Sequence, residues 1–218
     1  MLTQTREAIG SGARLVERAL FLVAFLALGY VAWTELDRFA FQHRALARLA
    51  PVEKGAAALP TREGAAEAAK PAPSAVIGRL SIPAASVDAI VSEGVDEKTL
   101  RRAIGHIPNT ALPGQPGNVG LAAHRDTFFR GLKDLQLADP IQLITTNGTF
   151  EYVVEELRIV EPTETGVLAP GPEPTLTLVT CYPFDYIGSA PQRYIVRARG
   201  VAQPAARRPV AAVDPDRL

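Results

Sequence analysis

From Val76 onward the apolar positions come in short runs broken by turn residues, the signature of a β domain. Val76 to Ile82 alternates as a strand, and Val87 to Val91 forms a second. Asp96 to Ile104 carries acidic residues at its front and basic ones behind, so it reads as a short helix that Gly105 stops. A Pro/Gly-rich loop, His106 to Gly117, leads into a strand over Asn118 to Ala123. Ile141 to Thr145 and Thr149 to Val160 flank Asn147-Gly148, a hairpin signal because both residues tolerate positive φ. Thr175 to Cys181 and Arg193 to Arg199 are the last strands, and the long proline-bearing loop Glu161 to Pro174 precedes them. The pattern predicts a small, mostly antiparallel barrel with one or two helical turns.

The first fifty residues follow a different pattern. Ala19 to Thr34 holds no charge, and Leu15 and Val16 extend its apolar character backwards. With Arg18 reaching the interface and Tyr30 and Trp33 at the other headgroup zone, the run suits a single membrane span. Trp33, Thr34 and Glu35 make a poor small-residue cleavage site, which favours a retained anchor over a cleaved signal peptide. Basic residues flank both ends, so orientation rests on Glu35 and Asp37, which lean toward a cytoplasmic N-terminus. Helical spacing continues through Glu35 to Ala50, where Pro51 is expected to stop it. Pro51 to Ser74 and Ala202 to Leu218 lack the large apolar residues needed for a core. The expected organisation is a cytoplasmic N-terminus (1–18), a transmembrane anchor (19–34), a juxtamembrane helix and Ala/Pro-rich linker (35–74), a folded domain (75–201) and a disordered tail (202–218).

Composition narrows the function. With 47% hydrophobic residues, 21% charged and a net charge of +0, the chain offers no electrostatic case for binding nucleic acid. It has one cysteine, Cys181, which cannot form an internal disulfide and stands partnerless if the chain is exported.

Nucleophilic catalysis explains that thiol. If the last two strands form a hairpin centred near Tyr186-Ile187-Gly188, Cys181 and Arg193 face each other across its mouth. If the strand ending near His124 runs parallel to the one ending at Cys181, both side chains emerge at one rim. A thiolate would then attack, an imidazole would exchange protons with thiol and leaving amine, and a guanidinium would hold an oxyanion or carbonyl. The expected reaction is acyl transfer through a thioester. Taken alone, Cys181 would be a small buried hydrophobe, and His106 a C-terminal cap for the short helix. Arg125 and Asp126 adjoin His124 too closely to bond its ring, so a local salt bridge or a loop-fixing role is expected. His43 reads as inert. Glu161, Glu164 and Glu173 are too scattered for a metal site, and neither metal nor cofactor is expected. Papain-like and NlpC/P60-type hydrolases place Cys before His at a helix start, unlike this chain; a non-catalytic peptide-binding barrel is the remaining rival.

Thr177-Leu-Val-Thr-Cys181 resembles the TLxTC signature of the sortases, membrane-anchored cysteine transpeptidases. Leu121-Ala-Ala-His124-Arg-Asp-Thr-Phe128 is similar to the segment bearing their catalytic histidine. Ser189-Ala-Pro-Gln-Arg193-Tyr-Ile-Val196 is similar to the strand bearing their arginine. Cys181-Tyr-Pro-Phe-Asp-Tyr-Ile-Gly and Ala190-Pro-Gln-Arg-Tyr resemble class D; a related Gram-negative group shares the Cys-Tyr-Pro-Phe start and differs around the arginine. The resemblance implies an eight-stranded barrel and cleavage after Thr in a Leu-Pro-x-Thr-Gly or Leu-Pro-x-Thr-Ala sorting motif of a surface protein. It implies Cys181 as nucleophile, His124 as proton donor and Arg193 as support for the intermediate. Thr180, His106 and Tyr182 are candidate substrate contacts. The acceptor would be an amine on a cell-wall precursor or a pilin lysine.

Overall fold

The computed structural model describes residues 2–54 and 71–201. Helix α1 (Leu2–Lys54) is followed by eight strands: β1 (Val76–Ile82), β2 (Val87–Glu93), β3 (Ile104–His106), β4 (Asn118–Ala122), β5 (Pro140–Thr145), β6 (Gly148–Val160), β7 (Thr175–Tyr182) and β8 (Gln192–Gly200). A second helix, α2 (Glu97–Arg102), lies between β2 and β3. The strands close into a barrel in the order β1-β2-β3-β4-β7-β8-β6-β5. Two neighbours run parallel, β2 with β3 and β4 with β7; the other pairs are antiparallel.

Alternate residues of each strand point inward and fill the barrel. Leu80 and Ile82, Val119 and Leu121, Ile141 and Leu143, Leu176 and Leu178, and Val196 and Ala198 meet there, with Phe129 and Leu132 closing one end. Burying such side chains is worth about 1.5–3 kcal/mol each. A smaller cluster lies outside the barrel wall, where Ala45 and Leu49 of α1 pack on Ile90 and Ala103.

Several boundaries differ from the sequence reading. The helix does not stop at Pro51 but runs to Lys54. A proline removes only one bond to the preceding turn, and its fixed φ is itself helical, so the following residues can continue the helix. Helix α2 starts after Asp96, whose carboxylate accepts from the Thr99 amide, and ends at an extended Ala103. Ile104-Gly-His106 is then a strand, so His106 does not cap the helix. A Cβ at Gly105 would lie 2.4 Å from the Gly94 carbonyl oxygen, so glycine there permits this strand rather than merely ending the helix. In the β5–β6 hairpin Thr145 pairs with Gly148, the turn residues are Thr146 and Asn147, and of Asn147-Gly148 only Gly148 takes positive φ. Most of the expected linker, and the tail over 202–218, lie outside the described residues.

Candidate active site

Register sets the geometry. On β7 and β8, Cys181 lies directly opposite Arg193, two steps along from the Val179–Ile195 pair on the same outer face. On β4 and β7, Gly120 pairs with Thr177 and Ala122 with Val179. The strand ends at Ala122, two residues short of His124, yet the Ala123 amide still donates to the Val179 carbonyl at 3.3 Å. Continued past that bond, the same register would bring His124 level with Cys181. Alternation puts it on the outer face, because Val119 and Leu121 point inward and Gly120 and Ala122 outward. The structure thus brings thiol, imidazole and guanidinium to the end of the barrel where β4 and β7 finish, and leaves all three partly exposed.

Arg193 is steadied by its own loop, donating through Nη1 to the carbonyls of Gln192 (2.9 Å) and Ala190 (3.3 Å). Among the described residues no carboxylate pairs with it, so much of its donor fork is uncommitted. The Thr180 side chain points inward, where its hydroxyl donates to the Ala123 carbonyl at 2.8 Å, one residue before His124. That bond ties the end of β4 to β7 and leaves the Thr180 hydroxyl buried. Tyr182 stacks on Tyr194 with ring centroids 6.2 Å apart and meets Phe184 edge-on at 6.1 Å. Burial pushes the Tyr194 phenol upward, with the neighbouring Tyr182 adding to it.

His106 stands apart from these groups. The residue is 2% exposed, with Nδ1 at 2.6 Å from a Glu93 carboxylate oxygen and Nε2 at 3.0 Å from the Ala111 carbonyl and 3.1 Å from the Thr110 hydroxyl. Thr110 in turn donates to the Ile107 carbonyl and accepts from the Gly120 amide. The ring's reach toward any groove is therefore indirect, through the segment over residues 107–111.

Three structural features complete the rim. Arg125 donates to the carbonyls of Pro183, Tyr186 and Gly188, so its loop-fixing role is to fasten the β7–β8 loop. Thr177 donates to Asn118, whose amide group donates to the Val167 carbonyl, drawing the 3-10 turn Thr165–Leu168 over β4. A Cβ on Gly120 would meet Thr110 at 3.0 Å and Leu168 at 3.1 Å, so these two segments close over the glycine. The outer face of β4 and β7 is covered at Gly120 and Thr177 and becomes partly exposed at Ala122, Val179 and Cys181. In the sequence, Asn118 carries no signal of this role, and Gly120 only that of a lone glycine inside a strand run. Among the described residues no cluster of His, Cys, Asp and Glu suits a metal ion.

A barrel with a thiol, an imidazole and a guanidinium at one end has the equipment of a thiol-dependent acyl transferase. Comparison with known proteins agrees. A sortase-domain family model matches residues 80–201. Sortase D of Bacillus subtilis is 35% identical over 133 residues, which is 61% of this chain and 67% of that protein. Sortase SrtE1 of Streptomyces coelicolor is 34% identical over 48% of this chain and 35% of its own length. The solved structure of a Clostridium perfringens sortase D5 transpeptidase superposes with a TM-score of 0.60 and 28% identity, covering 74% of this chain and 99% of that one. A lid mutant of sortase A from Corynebacterium diphtheriae gives 0.56 at 32% identity, covering 64% and 75%. The chain belongs to the sortase family of cysteine transpeptidases, with class D members among its relatives. Its N-terminal helix contains a stretch, Val16–Ala47, long and apolar enough for a single-pass anchor.

Proposed function

We propose that this sortase cleaves a surface protein after the Thr of a C-terminal Leu-Pro-x-Thr-Gly or Leu-Pro-x-Thr-Ala motif and transfers it to an amine. In this reading the catalytic domain spans 75–201, and the anchor over 19–34 holds it outside the cell with the N-terminus in the cytoplasm. The Cys181 thiolate attacks the Thr carbonyl, and Arg193 donates to the oxyanion that forms. As the C–N bond breaks, His124 gives its proton to the departing amine, leaving a thioester on Cys181. An acceptor amine then attacks the thioester, His124 takes the proton it sheds, and the C–S bond breaks to return the thiolate beside the reprotonated imidazole. The acceptor is an amine of a cell-wall precursor or a pilin lysine. The outer face along Ala122 and Val179 would receive the peptide, with Tyr182 at its rim. Thr180 and His106 support it from behind, the first through Ala123 and the second through the segment bearing Thr110.

The observation that carries this reading is the pairing of Cys181 with Arg193 on one side and the β4–β7 register toward His124 on the other. The test compares wild type with Cys181→Ala and His124→Ala on a sorting peptide, with and without a small amine. Wild type should switch product from acid to amide when the amine is added, and turn over faster, with a thioester on Cys181 trapped by mass spectrometry. Both variants should be inactive while still folded. Activity surviving in Cys181→Ala would refute the nucleophile, and indifference to the amine would make the enzyme a hydrolase.

A further inference from the structure

Helix α1 changes partner along its length. From Val16 to Leu36 its large apolar side chains, among them Phe21, Phe25, Tyr30 and Trp33, are exposed. From Asp37 onward it is docked on the barrel. Asp37 pairs with Arg102 through two bonds of 2.5 and 2.8 Å. Gln42 accepts from the Ile90 amide and donates to the Arg102 carbonyl, and Ala45 and Leu49 join Ile90 and Ala103 in the outer cluster.

The direction of docking fixes which end of the barrel faces outward along the helix. Glu35, Leu36 and Phe39 border a cleft of about 670 Å³ with Ser86, Val87 and Asp126 to Phe128. Those residues sit where β2 begins and just past the end of β4, the end that holds Cys181, His124 and Arg193. Farther along, Ala45, Leu46 and Leu49 pack beside Ile90, Ala103 and Val76, toward the opposite end. The exposed apolar part of α1 therefore projects past the catalytic end.

Length agrees with this arrangement. The stretch Val16–Ala47 has 32 residues, about 48 Å of helix against roughly 30 Å of hydrocarbon. The docked, charge-paired residues from Asp37 on cannot lie in lipid, which leaves the uncharged run Ala19 to Thr34, about 24 Å, as the centre of the span, with Arg18 reaching the interface at one end. The same barrel end carries the β7–β8 loop, whose Ile187 is 96% exposed and whose Tyr186 is 47% exposed. That loop is fastened by three carbonyl bonds from Arg125, so the apolar tip is held out rather than loose.

Taking α1 as the membrane anchor, we infer that the catalytic end of the barrel faces the bilayer, with the Ile187 tip seated in the headgroup region. The docked part of α1 acts as a strut that sets this orientation. Gln42, level with Ile90, lies about 12 Å along the helix from Thr34, which places the site close above the membrane surface. A substrate whose target bond lies a few residues outside its own membrane segment is already at that height. A freely soluble peptide must enter from the side.

The test uses the full chain in lipid vesicles, with Cys181→Ala removing the native thiol. An environment-sensitive fluorophore is attached at Ile187→Cys or, at the far end of the barrel, at Asn147→Cys. The probe at 187 should emit blue-shifted in the vesicles and be quenched by a nitroxide on the lipid headgroup, and the one at 147 should show neither effect. Adding Asp37→Ala and Gln42→Ala should shrink that difference. Equal quenching at the two positions, in a chain that resists alkaline carbonate extraction, would overturn the inference and leave the anchor intact. Release of the chain by carbonate would overturn the anchor reading and the inference with it. A difference that survives loss of Asp37 and Gln42 would overturn the role of the strut.

Discussion

His106 shows how a residue's role depends on its partners more than on its type. The Gly105-His106 pair reads locally as the end of a helix, because glycine stops helices and a cation suits the last turn. The structure puts it in a strand against Glu93, thirteen residues earlier, a partner with no local signature. Removing the ring by His106→Ala leaves the buried Glu93 side chain without its hydrogen-bond partner, which costs on the order of 1–3 kcal/mol on top of the cavity left by the ring. The expected outcome is a large fall in denaturant midpoint, with the folded fraction keeping turnover within about tenfold of wild type at low temperature. Loss of turnover at unchanged stability would move His106 into the chemistry. Cys181 and Arg193 were legible by contrast, since equal spacing from the centre of a hairpin is a local property that pairing converts into contact. His124 required one more assumption, that two strands far apart in sequence run parallel; β4 and β7 do.

At the scale of elements, the strands were readable because one face of each is buried and period-2 alternation follows directly. Their ends were less so. The β5–β6 turn moved one residue from Asn147-Gly148, because pairing of Thr145 with Gly148 leaves Thr146 and Asn147 as the turn. On β6, Tyr152 points into the core opposite Ile141, and burial pushes its phenol up to about 12. Below about pH 10 the phenol is neutral in folded and unfolded chains alike, and this contribution is fully present. Between about pH 10 and 12 the unfolded chain ionises first, so stability falls as pH rises, by up to about 3 kcal/mol. Tyr194 shifts in the same direction and adds to the fall. Urea unfolding across that window should show a shallower decline for Tyr152→Phe than for wild type; parallel curves would mean the Tyr152 phenol is not held neutral by the core.

At the scale of the molecule, the sequence separates an anchor, a linker and a barrel, but it does not show that the helix returns to the barrel as a packing partner. Periodicity over Glu35 to Ala50 was visible. Its target was not, because Ile90 and Ala103 lie on the outer side of the wall, where an apolar residue is indistinguishable from ordinary surface. The consequence is measurable. A chain beginning at Ala75 uncovers Ile90 and Ala103, frees Arg102 from Asp37 and removes the side chain that accepts from the Ile90 amide. Full burial of one isoleucine is worth about 1.5–3 kcal/mol, part of which is offset by ordering the helix. A chain beginning at Thr34, which lacks the span and keeps the docked half of α1, should therefore melt higher than the one beginning at Ala75. The expected gap is roughly 5–10 °C for a domain of this size. Asp37→Ala in the longer chain should close part of it. Coincident melting curves for the two chains would mean that α1 contributes no net stability to the barrel in solution, and that its packing on Ile90 serves only to set position.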